Sequence, residues 1–112
     1  CCMNLLKLTE PPTDIDACND LMAFGAISAA QDSGLEVGKD ISITGFDGIP
    51  MGEYFHPPLT TVNQPVYKIG GMVCEMLVNI IKGKITEPEH ILMKPSLIIR
   101  QSTGQLKEEA NL

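Results

Sequence analysis

The sequence predicts an α/β domain built on a parallel sheet, and three observations predict it. Ile15 to Cys18, Leu21 to Ser33 and Ile41 to Gly45 read as strand, helix and strand at the spacing of a βαβ unit, whose crossover is nearly always right-handed. The apolar run beginning at Ile41 stops at Gly45-Phe46-Asp47-Gly48, a carboxylate flanked by glycines. A parallel strand ends this way when its carboxyl end opens onto a crevice, because glycine lets the backbone turn sharply. Finally, the extended, β-branched segment Leu59 to Gln64 runs straight into a long amphipathic helix.

Taken in order, the chain opens on Met3, Leu5, Leu6 and Leu8, which read as the tail of a helix. That opening and the non-methionine first residue suggest that further sequence precedes Cys1. Glu10-Pro11-Pro12-Thr13 breaks the helix, since proline restrains its predecessor and donates no backbone hydrogen bond. Asp14 and Asp16 interrupt the apolar character of the first strand, which either turns one of its faces to water or weakens the strand assignment. Asn19-Asp20 supplies N-cap chemistry for the helix that follows, and Asp20 reads as the structural cap. Ala23, Ile27 and Ala30 stand at core spacing and Gly34 ends the helix. Its small residues, Ala23, Gly25, Ala26, Ala29 and Ala30, let the axis lie close to a sheet.

Residues 47–58 are rich in Gly and Pro and read as an ordered surface loop, in which His56 has no evident partner and takes no role. Pro65 suits the first turn of the next helix. That helix carries Val66, Ile69, Gly70, Val73, Leu77, Ile80 and Ile81 on one stripe, widened by Met72 and Met76 as core residues, and stops at Gly83. An apolar stripe of this size, if left exposed, predicts instability, swapping or association. Ile91 to Met93 and Ser96 to Ile99 read as strands separated by Pro95, followed by a polar tail.

Composition narrows the function. With 112 residues and 44% hydrophobic content the chain is one domain or part of one. A net charge of −6 with only eight Lys and Arg argues against phosphate-backbone binding by this segment. Cys1, Cys2, Cys18 and Cys74 lack CxxC spacing and paired histidines, so no metal is expected; they read as reduced thiols, two of them packed as small hydrophobes. No secretory signal and no apolar run of about 18 residues is present, which together with the thiols reads as cytoplasmic.

Asn19 and Asp47 follow the carboxyl ends of successive strands, and Gln64 ends the extended segment, three positions that converge on one crevice in an open α/β sheet. Two amides and a carboxylate suit the hydroxyls of a sugar or the edges of a purine better than bond breaking. Both structural alternatives stay open: Asn19 can simply cap its helix, and Asp47 can bond to amides of its own turn. No nucleophile with a base, tuned carboxylate pair, GxGxxG or GxxxxGK[ST] is present, so neither catalysis nor a cofactor is expected.

The order of motifs is more specific. Pro12-Thr13, Ala17-Cys18-Asn19-Asp20-Leu21-Met22-Ala23-Phe24-Gly25-Ala26, Gly34-Leu35-Glu36-Val37-Gly38-Lys39-Asp40-Ile41-Ser42-Ile43-Thr44-Gly45-Phe46-Asp47, Pro58-Leu59-Thr60-Thr61-Val62, Gln64-Pro65, Ile69-Gly70 and Arg100-Gln101-Ser102-Thr103 closely resemble the carboxyl half of lactose-repressor/galactose-repressor (LacI/GalR) family regulators over residues 11–104. The resemblance implies a partial periplasmic-binding-protein-like lobe, with residues 1–104 belonging to the effector-binding domain, 65–90 crossing to the other lobe, and 105–112 a polar tail. It implies Asn19 and Asp47 in the effector cleft and Gln64 at the hinge between lobes. It also implies a small sugar-like or purine-like effector, operator DNA bound through a helix-turn-helix outside this chain, a homodimer and no membrane partner. A periplasmic sugar-binding protein of a transporter is the alternative sharing this fold. Asp14 and Asp16 depart from the usual small or apolar strand residues, and Gly48 from a usual acid or amide that would give the effector one more hydrogen bond.

Overall fold

The computed structural model describes residues 2–87 and 89–105. The elements run α1 (Cys2–Leu6), β1 (Asp14–Asp16), α2 (Asp20–Asp32), β2 (Ser42–Asp47), α3 (Met51–Tyr54), β3 (Thr60–Asn63), α4 (Val66–Ile81) and β4 (Ser96–Ile98). The strands form one sheet in the order β1-β2-β3-β4. β1 pairs parallel to β2 with Ile15 opposite Ile43, and β2 pairs parallel to β3 with Thr44 opposite Thr60 and Asp47 opposite Asn63. The chain divides into two compact units, the described residues of Cys1–Asn63 with Leu97–Leu112, and Gln64–Ser96.

In the first unit the core lies between α2 and the sheet. Ala23, Ile27 and Ala30, the residues singled out by spacing, are all fully buried, and with Ile43, Ile41, Val37 and Leu59 they form the apolar cluster. Small side chains on α2 allow this close packing, and Phe24 adds a stacked contact to Phe55 with ring centroids 4.4 Å apart. Gly34, at φ +79°, ends the helix in the left-handed conformation that favours glycine.

The amino end of the sheet is closed by the Arg100-Gln101-Ser102-Thr103 segment. The Ile43 N–H donates to the Ser102 carbonyl at 2.8 Å, and the buried Ser102 Oγ donates to the Ile43 carbonyl at 2.6 Å while accepting from the Thr60 N–H at 2.8 Å. Arg100 donates from Nη1 to the Leu59 carbonyl at 2.8 Å, and the Thr60 and Thr103 hydroxyls lie 2.9 Å apart. Ser102 thus stands where β2 and β3 are not yet paired with each other, and it satisfies backbone groups that would otherwise be buried without partners.

Several expectations are corrected. β1 begins one residue early and is shorter than Ile15 to Cys18, although the Ala17 N–H still donates to the Thr44 carbonyl at 3.0 Å. As a sheet edge it exposes Asp14 and Asp16 and half-buries Ile15, so the two acids sit on a wet face. Within the 47–58 loop Met51–Tyr54 forms one helical turn, and His56 contributes only its carbonyl, which accepts from Gln31 Nε2 at 3.0 Å. Ile91 to Met93 form no strand: they line an open groove with Ile69, Met72, Val73 and Met76 of α4, with Leu92 fully exposed, so no strand partner is present for them among the described residues. Of the thiols, Cys2 is half-buried while Cys18 and Cys74 are exposed, and all three are free; Cys1 lies outside the described residues. The polar tail lies outside them from residue 106 onward.

α4 itself has no buried residue. Val66, Val73, Leu77 and Ile81 are exposed, so the stripe the sequence displays is uncovered among the described residues. Among these residues no helix is long and apolar enough to cross a membrane.

Candidate functional site

Parallel pairing places the carboxyl ends of β1, β2 and β3 at one edge of the sheet, the edge where open α/β folds hold ligands. Asn19 lies three residues past β1, is half-buried and caps α2: its extended backbone (φ −154°, ψ 168°) sets Oδ1 to accept from the Met22 N–H at 2.9 Å. The cap uses only the carbonyl oxygen, so capping and ligand contact through Nδ2 are compatible roles for the same side chain.

Asp47 is the last residue of β2, half-buried, and the only non-glycine residue at positive φ among the described residues, at 113°. Holding a side chain there costs on the order of 1–3 kcal/mol, a cost found where surrounding structure over-determines the backbone, often at ligand sites. The next residue, Gly48, also has positive φ, and a Cβ there would meet Asn63, within 2.7 Å of its Cα and 2.9 Å of its Cβ. This close approach to β3 gives glycine a steric reason at the position where the sequence departs from an acid or amide.

Gln64 belongs to the second unit and follows β3 directly in the chain; it is half-buried, and its carbonyl accepts from the Val66 N–H at 2.8 Å. The fold therefore brings Asn19 and Asp47 to one end of one sheet, and Gln64 belongs to the second unit.

Asp20 departs from its expected part. Asn19 is the cap, whereas Asp20 opens the helix proper and is 1% exposed. Its Oδ2 accepts from the Ile49 N–H at 2.7 Å and its Oδ1 from the Thr61 hydroxyl at 2.5 Å. One carboxylate thus ties the start of α2 to the loop after β2 and to the middle of β3. The available sequence signal was Gly45, a glycine inside an otherwise apolar strand, where a Cβ would collide with Asp20 Oδ1. Among the described residues no group of three or more His, Cys, Asp or Glu side chains is arranged to hold a metal.

The sequence matches the periplasmic binding protein-like domain family over residues 3–103. The chain belongs to that family. It is 41% identical over 102 residues to the HTH-type transcriptional repressor PurR of Aliivibrio salmonicida, covering 91% of this chain and 31% of the relative. Among solved structures, it matches a LacI family transcriptional regulator of Enterococcus faecium with bound ribose (TM-score 0.86, 33% identity, 95% of this chain and 39% of that one). It likewise matches a lac repressor dimer bound to operator and the anti-inducer ONPF (TM-score 0.84, 34% identity, 93% and 36%). The chain spans about a third of the length of the curated relatives it matches. It is an α/β part of a LacI/GalR-type effector-binding domain, and the transporter-protein alternative is not favoured.

Proposed function

We propose that the intact protein is a bacterial transcriptional regulator in which this chain senses a small polar effector, with Asn19, Asp47 and Gln64 as effector contacts. The observation that carries this reading is Asp47: a carboxylate held at φ 113° on the carboxyl end of a parallel strand, at the same end of the sheet as the Asn19 amide. An ionised carboxylate accepts hydrogen bonds from sugar hydroxyls or from a purine N–H, and the Asn19 Nδ2 donates to hydroxyl, carbonyl or ring-nitrogen acceptors. Ribose in the Enterococcus faecium relative supports a sugar-like ligand, and operator DNA in the lac repressor dimer supports a homodimer that binds DNA outside this chain. The acidic balance of the segment agrees with DNA contacts made elsewhere.

In this reading the 65–90 segment crosses to a second lobe, no step of catalysis is involved, and the protein acts in the cytoplasm on its operator. An effector shifts operator affinity only to the extent that it binds one conformational state more tightly than the other. The test is calorimetry of the intact protein against D-ribose, other pentoses and hexoses, and purine bases, followed by Asp47→Ala. Loss of about 1.5–3 kcal/mol of binding is expected when a charged hydrogen bond is removed. Unchanged affinity in folded Asp47→Ala and Asn19→Ala proteins would remove both residues from the site.

A further inference from the structure

We infer that Asp20 is the positioning residue of this site, the group that holds the Asp47-to-Ile49 loop in its strained conformation; the inference rests on the reading of Asp47 as an effector contact. Three observations carry it. Asp20 is 1% exposed yet ionisable, and among the described residues both its oxygens have defined donors on different elements, Ile49 N–H and Thr61 Oγ. The Ile49 amide lies two residues past Asp47, so the bond fixes the far side of the segment whose near side is β2 and whose middle contains the two consecutive positive-φ residues Asp47 and Gly48. Gly45, on β2 itself, leaves open the space that Asp20 Oδ1 occupies, so strand, helix start and loop are shaped around one carboxylate.

The physics is that of an anchored turn. The backbone at Asp47 leaves the left-handed region when nothing opposes it, because an L side chain is strained there. β2 pairing holds one flank through Asp47 opposite Asn63, and a fixed point beyond Gly48 holds the other, where the Ile49 side chain also packs on the core. Asp20 supplies that point from the first turn of α2, whose cap is Asn19, so two of the three candidate effector residues, Asn19 and Asp47, adjoin one mechanical support. Asparagine can replace Asp20 without loss of either bond: Oδ1 accepts from Ile49 and Nδ2 donates to the Thr61 hydroxyl, which can accept. Alanine can make neither.

The experiment needs no ligand, so it stands or falls separately from the identity of the effector. In the intact protein, crystal structures and amide exchange are compared for Asp20→Ala, Asp20→Asn and Thr61→Val. Expected for Asp20→Ala is an Ile49 amide that exchanges about tenfold faster or more, with Asp47 no longer near φ 113°. Asp20→Asn retains both the protection and the φ, and Thr61→Val, which removes one of the two bonds but leaves the fold's shape, gives an intermediate rate. Asp47 unmoved and Ile49 equally protected in folded Asp20→Ala overturns the inference; if the alanine protein does not fold, an Ile49 amide as protected in Thr61→Val as in the parent overturns it. So does an Asp20→Asn protein that behaves like Asp20→Ala. A purely stabilising Asp20 would lower the melting temperature and leave both local readouts unchanged below it.

Discussion

The two long helices carry opposite lessons. α2 is the less regular of the two by sequence, with an apolar face made largely of alanine, yet it buries six residues. α4 displays the clearer apolar stripe over sixteen residues and buries none. Periodicity reports which face a helix would hide, whereas the partner that hides it is supplied by the rest of the fold. In the first unit the partner is the β1-β2-β3 sheet; in the second, the described residues leave the α4 stripe uncovered.

This contrast can be broken by stability measurements on the intact protein. Ile43→Ala removes a fully buried side chain from the first unit and is expected to cost about 2–5 kcal/mol in denaturant unfolding. Gly48→Ala adds a Cβ against Asn63 at positive φ and is expected to cost about 1–3 kcal/mol. Asn19→Ala removes the α2 cap for about 1 kcal/mol. Asp47→Gly sharpens the comparison differently: relief of φ 113° is offset by loss of the side chain's own interaction and by glycine's extra chain entropy, so stability should change by less than about 1 kcal/mol while effector binding falls. Ile81→Ala, at 75% exposure, should stay within about 0.5 kcal/mol unless a partner covers α4 in the intact protein, when the loss approaches that of Ile43→Ala. Lys39→Met, which breaks the surface ion pair to Glu36, should change stability by nothing measurable.

Much of the fold was legible because its signals are local. Proline at 65, glycine at 34 and 83, and the Ala23-Ile27-Ala30 spacing each act within a turn or two of where they stand. The candidate site was legible only in part. Asn19 and Asp47 are marked by strand ends, but Asp20 gains its meaning from Ile49 and Thr61, 29 and 41 residues away. A side chain whose partners lie that far off looks, in one dimension, like any helix-start acid. Ile91 to Met93 failed for a related reason: a short apolar run becomes a strand only where a neighbouring strand pairs with it, and among the described residues none does.

The Ser102 stitch has a consequence for how the molecule is made. Its hydroxyl reaches Ile43 across 59 positions of chain. At synthesis rates of about 5–20 residues per second, a nascent β2 therefore waits several seconds for the group that closes its amino end. Until Ser102 is made, the carbonyl of Ile43 and, once it is synthesised, the amide of Thr60 lack their Ser102 partners, leaving that corner of the sheet open.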